Sequence, residues 1–189
     1  MNMPNRISRQ PIITERLELR PSVARDAEPA FVIRSDWEVA RMLSRATFPP
    51  DRAAMEAWFG EHEREWREGR AYRFAVERGG RVIGIVDIDG VADSEGELGY
   101  WFEKASWGQG YAFEAGSAVV RFGFDVVGLR RIRAGHAVDN AASGRVLEKL
   151  GFSVVETVWR ESVSRGERVE VRRLALARET LREVRGWVE

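Results

Sequence analysis

Two hydrophobic periods alternate along this chain, and each change of period marks the boundary of a predicted element. From Arg16 to Arg20, apolar and polar residues alternate with period two, as in a half-buried strand, and Pro21 ends the run. A helical period follows and predicts helical structure from about Asp26 to Leu43, before Pro49-Pro50 interrupts the pattern. The chain is therefore predicted to begin with a strand and then a helix.

A second helix is predicted to begin after Asp51, whose carboxylate suits an N-cap position. Its large side chains recur at helical spacing on one face: Met55, Trp58, Phe59, His62 and Trp66. A stripe of this kind is usually core. We therefore expect most of these side chains in the interior, and His62 in a structural role.

Three strands joined by short turns form a predicted meander in the middle of the chain. Tyr72–Glu77 and Arg81–Ile88 flank Gly79-Gly80, and two glycines between alternating runs favour a hairpin. Asp93–Phe102 follows as the next strand. Counted from the strand at Arg16–Arg20, it is the fourth predicted strand of the chain.

Helices and strands alternate through the second half of the chain. A long helix is predicted between Gly110 and Gly128. Its apolar stripe comprises Ala115, Ala118, Val119, Phe122 and Val126. A fifth strand follows at Arg131–Val138, and Asn140 is expected to cap a short helix that ends at Gly151. The last predicted hairpin consists of Phe152–Val163 and Arg168–Ala177, around Arg165-Gly166.

Interleaved helices and strands around a central meander indicate a single domain of the α/β or α+β class. The chain has 189 residues, which is enough for one well-cored domain and short for two. We expect a loose leader over residues 1–13, the domain over residues 14–178, and a C-terminal helix or tail over residues 179–189.

Composition narrows the function classes. The apolar fraction of 44% favours a globular chain, and 30 basic residues balance 30 acidic ones, so no overall field attracts nucleic acid or an acidic membrane. The chain has no cysteine, which excludes disulfides, thiolate metal ligands and a cysteine nucleophile. We expect a cytoplasmic protein without a nucleic-acid or membrane partner.

The junction between Leu98–Phe102 and Trp107–Ala112 carries the strongest chemical signal. An apolar run that is typical of a strand leads through a short polar loop into a helix, and Gly108 and Gly110 lie at the helix start. Glycines let backbone amides approach an anion closely, and the unpaired amides and dipole of a helix N-terminus favour phosphate. This pattern predicts a cradle for a diphosphate. The alternative is an ordinary glycine-tolerant loop.

Four sequence blocks occur together in one order. They are Thr14–Pro21, Gly99–Trp101, Trp107–Ala115 and Asn140–Phe152. In residues, order and spacing they resemble the GNAT acyltransferases, and more narrowly the branch that includes ribosomal-protein N-terminal acetyltransferases. The resemblance extends from Thr14 to about Leu176, and Trp107 matches the narrower branch.

The resemblance implies acetyl-CoA as co-substrate, without a metal, on a mixed sheet splayed between its fourth and fifth strands with helices on both faces. It places the pantetheine arm along the edge formed by Tyr100, Trp101 and Phe102, although three aromatic residues in a strand are also usual packing. It places the diphosphate on Trp107, Gly108, Gln109, Gly110, Tyr111 and Ala112.

Asn140 and Ser143 have two interpretations each. Asn140 is a suitable helix N-cap, and the resemblance implies that its side chain also contacts the cofactor arm. Ser143 lies in the following turn, where the resemblance implies a general acid that protonates the sulfur of CoA. The alternative for Ser143 is a surface serine at the start of a helix.

Two residues compete for the role of general base. Glu97 lies at the start of the strand that the resemblance splays, where a carboxylate would take the proton of the amine; alternatively it is a solvated strand-end residue. His136 shares a strand face with Ile132 and Ala134, and its ordinary pKa suits base chemistry, although a histidine among apolar neighbours is more often structural. Glu114 is expected to be structural and to tie down the loop.

The resemblance therefore predicts an N-acetyltransferase that acts by direct attack of an amine, and a non-catalytic acyl-CoA sensor is the alternative on the same fold. The acceptor is open between a protein N-terminus and a small amine. A basic partner would suit a local acidic groove, for which the candidates are Asp87, Asp89, Asp93, Glu95 and Glu97. The protein is expected to be a monomer or a homodimer.

Overall fold

The computed structural model describes residues 7–181, which form eight strands and six α-helices. The strands are β1 Ile12–Ile13, β2 Glu18–Pro21, β3 Tyr72–Arg78, β4 Arg81–Ala92, β5 Glu95–Phe102, β6 Arg131–Ala137, β7 Ser153–Ser162 and β8 Glu167–Ala177. The helices are α1 Ala27–Arg34, α2 Trp37–Ala40, α3 Arg52–Glu68, α4 Tyr111–Phe122, α5 Ala141–Lys149 and α6 Arg178–Leu181.

The strands form one mixed sheet in the order β1-β2-β3-β4-β5-β6-β8-β7, in which only β5 and β6 are parallel neighbours. That parallel pairing is short, because it ends at Glu97↔Arg133 while β5 continues to Phe102 and β6 to Ala137. The opening beyond this last pair is the splay. It lies between the fourth and fifth strands of the sequence prediction, which did not include β1, and that prediction is confirmed.

Helices cover both faces of the sheet, as expected. On one face, Val119 of α4 and Leu147 of α5 pack in the larger core with apolar side chains of the strands, such as Ile132. On the other, Ala30 of α1 and Phe59 of α3 pack in a second cluster against β3 and β4. The first side of the sheet is called the α4–α5 face, and the second is called the α1–α3 face.

Strand alternation decides which side chains of β5 lie on which face. Leu98 and Phe102 belong to the core on the α4–α5 face, and Tyr100 packs against the same core. Trp101 packs against the cluster on the α1–α3 face. The same period of two places Glu97 on the α1–α3 face, two residues before Gly99.

The turns and caps agree with several expectations. Gly79 and Gly80 have φ of 58° and 76°, which suits a two-residue hairpin turn. The Asp51 carboxylate accepts a hydrogen bond from the amide of Ala54 at 2.8 Å and caps α3. The Asn140 side chain accepts one from the amide of Ser143 at 3.1 Å and caps α5. The interpretation of Asn140 as a helix cap is confirmed.

The helical pattern predicted from about Asp26 to Leu43 is divided in the structure, because two helices occupy this stretch and the second ends at Ala40. The amide of Ser35 ends α1 by donating to the carbonyl of Phe31 at 3.0 Å, and Asp36 then adopts an extended conformation. The Asp36 carboxylate accepts from the amide of Glu38 at 2.9 Å and starts α2. A short polar side chain thus replaces the helical backbone bond with a new cap.

The stripe predicted for the helix after Gly110 is wrong at its end. The α-helix stops at Phe122, and Gly123–Val127 forms a wider π turn before Gly128 adopts a φ of 81°. A π turn shifts the helical register. Val126 consequently leaves the stripe and is 50% exposed.

Part of the predicted leader lies against the sheet. Ile12–Ile13 pairs with β2, Arg9 donates to the carbonyl of Ser22 at 2.9 Å, and the indole of Trp66 donates to the carbonyl of Ile7 at 3.0 Å. Residues 7–13 are therefore attached rather than loose. Residues 1–6, and residues 182–189 of the predicted C-terminal helix or tail, lie outside the described residues.

Candidate active site

The loop before α4 presents backbone amides to solvent. Gly108 and Gly110 have φ of 74° and 83°, in the left-handed region that favours glycine. Within residues 7–181, the amides of residues 108–112 donate to no protein acceptor, and residues 107–110 are exposed. A Cβ on Gly108 would meet no atom within 4 Å. The mouth of α4 thus has the unpaired donors and the open approach that an anion requires.

A clamp between Arg16 and Glu114 holds this loop against the N-terminal segment. The Glu114 carboxylate accepts hydrogen bonds from the Thr14 hydroxyl at 2.6 Å and from the Arg16 amide and guanidinium at 2.8 and 2.7 Å. Arg16 also donates to the carbonyl of Gln109 at 2.9 Å. Burial opposes ionisation of Glu114, but these hydrogen bonds and the Arg16 charge bring its pKa below the ordinary value. Glu114 therefore ties down the loop.

Trp107 and Gln109 use their side chains within the loop. The Trp107 indole donates to the carbonyl of Phe102 at 3.0 Å and is 42% exposed. The Gln109 amide group donates to the carbonyl of Ala105 at 2.9 Å. Both side chains thus shape the turn between β5 and α4, and their backbone groups remain available to a ligand.

The edge of β5 that faces β6 has no strand partner beyond Glu97. Tyr100, Trp101 and Phe102 lie along this edge, but their side chains pack on the two faces of the sheet. The backbone of this segment pairs with β4 on its other side. An extended ligand that enters the splay would therefore contact unpaired backbone groups along the β5 edge, and not the aromatic side chains.

Tyr100 and Ser143 approach each other on the α4–α5 face. Their hydroxyl oxygens are 2.8 Å apart, and the Tyr100 hydroxyl also lies 3.3 Å from the carbonyl of Ser143. Asn140 orients the first turn of α5 that carries Ser143. Burial raises the pKa of Tyr100 to about 12, so its hydroxyl stays protonated at neutral pH. Sequence analysis named both residues but did not predict their contact.

Glu97 and His136 border the same cavity from different strands. Glu97 is exposed and lies beside Arg133 in the last parallel pair. His136 is buried, its Nδ1 lies 2.8 Å from the carbonyl of Ala137, and its ring contacts α5, where a Cβ on Gly144 would come within 3.0 Å of Cε1. The structure therefore places the imidazole beneath α5 and the carboxylate on the α1–α3 side of the splay.

Asp87 is a buried carboxylate that sequence analysis treated only as part of an acidic groove. It lies 2.7 Å from the Arg73 guanidinium and opposite Gly99, where a Cβ would approach its Oδ1 to 2.7 Å. Burial raises the pKa of Asp87 to about 7, against the opposing effect of Arg73. Only the pairing of β4 with β5 brings this carboxylate to the glycine beside the splay.

The predicted acidic groove does not form as one solvated surface. Asp87 is buried, Asp89 shares Arg73 with it at 3.5 Å, and Glu95 lies 3.7 Å from Arg133. Neighbouring guanidinium groups thus compensate three of the five carboxylates. The expectation of an acidic groove is corrected to a mixed surface.

His62 is part of the interior, as expected. Its ring stacks edge-on with Trp58 at 4.5 Å, and its Nδ1 lies 2.9 Å from the Ser22 hydroxyl. Burial, together with the charges of Arg73 and Arg9, lowers the pKa of His62 to about 3. The imidazole is consequently neutral at physiological pH.

The family follows from comparison of this fold and these blocks with known proteins. Residues 16–153 match the family model described as Acetyltransferase (GNAT) domain. The chain belongs to the GNAT acetyltransferase family. It is 34% identical over 143 residues to the uncharacterized N-acetyltransferase YoaA of Bacillus subtilis, covering 74% of this chain and 80% of YoaA.

Solved GNAT structures share the fold. RimL, the ribosomal L7/L12 α-N-protein acetyltransferase in complex with coenzyme A, superposes with a TM-score of 0.80 at 17% identity, over 89% of this chain and 98% of RimL. Spermidine N-acetyltransferase from Vibrio cholerae in complex with CoA and spermine superposes with a TM-score of 0.77 at 17% identity, over 88% and 98% of the two chains.

None of the helices between residues 7 and 181 has the length and apolarity needed to cross a membrane. Over the same part of the chain, no group of three or more histidine, aspartate or glutamate side chains is arranged to hold a metal ion.

Proposed function

We propose that this protein is an acetyl-CoA-dependent N-acetyltransferase that transfers an acetyl group to a primary amine by direct attack in a ternary complex. One observation carries the proposal: unpaired amides at the mouth of α4 follow directly on a strand, β5, whose edge is unpaired along the splay. Membership of the GNAT family and neighbours that hold CoA support the same donor.

The donor would be held mainly by backbone groups. In the proposed arrangement, the amides of residues 108–112 bind the diphosphate, and Arg16, paired with Glu114, holds the loop beside them. The β5 edge from Leu98 to Phe102 offers hydrogen bonds to the amides of the pantetheine arm, and one of its N–H groups stabilises the developing oxyanion. Acetyl-CoA supplies the acetyl group as an activated thioester.

The transfer requires one proton acceptor and one proton donor near the splay. A bond forms between the amine nitrogen and the acetyl carbon, and the bond from that carbon to sulfur breaks. We assign the proton of the amine to Glu97, with Asp87 as the second carboxylate on the same face. Ser143 protonates the departing sulfur, and the Tyr100 hydroxyl at 2.8 Å supports it. His136 stays a weaker prediction for the base, because it lies under α5.

The fold accommodates acceptors of different size. RimL is named for action on a ribosomal protein, and the Vibrio cholerae neighbour is named for spermidine. For this chain we therefore propose a primary amine, either a protein N-terminus or a small molecule.

The cradle can be tested with a matched pair of substitutions at Gly110. Gly110→Asp and Gly110→Asn are nearly isosteric and share the same left-handed backbone, which asparagine and aspartate tolerate better than other side chains. We expect Gly110→Asp to weaken acetyl-CoA binding at least about 10-fold relative to Gly110→Asn, because a carboxylate repels the diphosphate. Isothermal titration calorimetry measures both affinities.

The control is Gly166→Asp, which introduces the same charge at a turn glycine with φ of 64° and open surroundings. It should bind acetyl-CoA as the unmodified protein does. Equal affinities for the two Gly110 variants would contradict the cradle. Tight binding without thiol release from any amine would instead indicate an acyl-CoA sensor.

A further inference from the structure

A cavity of about 80 Å³ lies where the sheet opens, bordered by the last parallel pair of β5 and β6. This volume is well above the roughly 10–15 Å³ that a cavity needs to hold one water molecule. Six charged side chains line it: Arg41, Arg133, Arg160, Arg165, Arg173 and Glu97. Five guanidinium groups and one carboxylate are an unusual lining for an enzyme whose acceptor is an amine.

Two of the five arginines are already neutralised by carboxylates outside the cavity. Arg165 donates to Asp139 at 2.7 Å, and Arg173 donates to Glu156 at 2.9 Å. These pairs connect β7, β8 and the loop after β6. These two ion pairs are structural. They do not account for the positive charge of the other three arginines that line the cavity.

The remaining three arginines, Arg41, Arg133 and Arg160, have no carboxylate within hydrogen-bond distance among residues 7–181. The nearest carboxylate oxygens to Arg41 are 3.6 and 3.7 Å away. Arg133 lies 3.7 Å from Glu95, and its buried Nε has no hydrogen-bond partner. Arg160 has no ion pair in this part of the chain. Three cations thus face one opening with unused donors.

Negative charge lies on the opposite side of the same opening. Glu97 of β5 and Asp87 and Asp89 of β4 project to the α1–α3 face, where strand pairing sets Asp89 against Glu97 and Asp87 against Gly99. Arg73 is the only guanidinium that contacts Asp87 and Asp89 in the described chain. The splay therefore separates a carboxylate side, formed by β4 and β5, from a guanidinium side, formed by β6, β7 and β8.

This division of charge matches a ligand with an amine at one end and an anion at the other. A polyamine or a lysine-rich peptide would bring positive charge against three guanidinium groups that form no hydrogen bond to a described carboxylate, which costs free energy at short range. We propose that the acceptor is a small amine that carries a carboxylate, of the amino-acid class. Arg133 and Arg160 bind the carboxylate, and the amine points to Glu97. This inference rests on the proposed acetyltransferase function and specifies its acceptor.

The test compares amino acids with their carboxamides as acceptors in a thiol-release assay with acetyl-CoA. An amino acid and its carboxamide differ at the group that the arginines would bind. The carboxamide has the less basic amine, so more of it is neutral and reactive at pH 7.5. We nevertheless expect kcat/KM to be at least about 10-fold higher for the amino acid, because charge-assisted hydrogen bonds to its carboxylate are lost in the carboxamide.

Arg160→Gln tests the guanidinium side directly. We expect it to raise KM for the amino acid about 10-fold and to leave the acetyl-CoA affinity unchanged. Arg168→Gln is the matched control, because Arg168 immediately precedes Val169, the residue opposite Arg160, and projects to the other face of the same hairpin. It should change neither quantity.

Several outcomes would overturn the inference while leaving the acetyltransferase in place. These are equal or faster turnover of the carboxamides, an unchanged KM in Arg160→Gln, and faster turnover of spermidine or of peptides than of any amino acid. Absence of acetyl-CoA binding in calorimetry would instead overturn the proposed function itself. Selective turnover of amino acids, together with a loss of that turnover in Arg160→Gln, supports both the acetyltransferase function and the amino-acid acceptor.

Discussion

At the scale of single residues, the contact between Tyr100 and Ser143 is the clearest link between packing and chemistry. The two residues lie 43 positions apart, and their hydroxyl oxygens are 2.8 Å apart on the α4–α5 face. Burial keeps Tyr100 protonated, so its hydroxyl can donate a hydrogen bond to Ser143, the proposed acid. The pair should therefore act as one unit in proton transfer.

A double-mutant cycle tests this unit. We expect Ser143→Ala to lower kcat about 10- to 100-fold and Tyr100→Phe to lower it less, with little change in KM. The double variant should be no slower than Ser143→Ala. If the two hydroxyl groups act together, removing the second one after Ser143 is lost has no further effect on kcat. Steady-state kinetics under saturating acetyl-CoA measures these values.

Tyr72→Phe is the control for loss of a buried tyrosine hydroxyl, since Tyr72 packs in the aromatic cluster with Trp66. It should leave kcat unchanged. If the losses of the two single variants multiply in the double variant, the hydroxyl groups act separately.

Residues of the site differ in how far the sequence reveals them. Gly108, Gly110 and Asn140 act through backbone conformation and helix capping, which depend on neighbours in the chain, so local pattern finds them. Asp87 and Arg160 acquire their neighbours at the splay through the pairing and order of strands. Nothing next to Asp87 shows that Gly99 will lie opposite it.

At the scale of elements, the start of α5 positions the proposed acid. Asn140 accepts a hydrogen bond from the Ser143 amide at 3.1 Å and closes the first turn around the serine. Loss of this cap should therefore affect turnover as well as stability. A second helix with the same kind of cap, α3, offers a direct comparison.

We expect Asn140→Ala and Asp51→Ala to destabilise the protein by similar amounts, about 0.5–2 kcal/mol each. Only Asn140→Ala should lower kcat, because it alone releases the turn that carries Ser143. Urea unfolding and steady-state kinetics measure the two effects. Equal losses of kcat in both variants would mean that the cap acts through general stability.

Element prediction succeeded where the pattern was long and failed where a short polar residue intervened. The meander strands and the helix after Asp51 lie close to their predicted bounds. Between α1 and α2, Asp36 forms a new cap inside a stretch whose hydrophobic period continues. The hydrophobic period alone could not show this break, because the break depends on one hydrogen bond, which the Asp36 carboxylate accepts from the amide of Glu38.

At the scale of the whole molecule, the splay is the feature on which the proposed function depends. It exists because β5 and β6 pair over only three positions and then separate. Backbone groups on the facing edge of β5 are left without a partner, and a ligand that enters should protect them.

Hydrogen exchange measured by mass spectrometry tests this expectation. We expect the segment from Leu98 to Phe102 to exchange more slowly when CoA is added, because the arm of CoA would take hydrogen bonds along the unpaired edge. The hairpin of β7 and β8, at the far end of the sheet, should be unaffected. Protection confined to the hairpin would contradict binding in the splay.

The sequence by itself determined the local parts of this protein: the turns with glycine, the helix caps, the apolar faces, and the blocks that resemble the GNAT family. Each depends on residues within a few positions of one another. Only the tertiary structure decided which charges meet at the splay, since Glu97, Asp87 and the arginines of β6 and β7 come together through strand order and register. Electrostatic energy depends on distance in space, and distance along the chain does not reveal it.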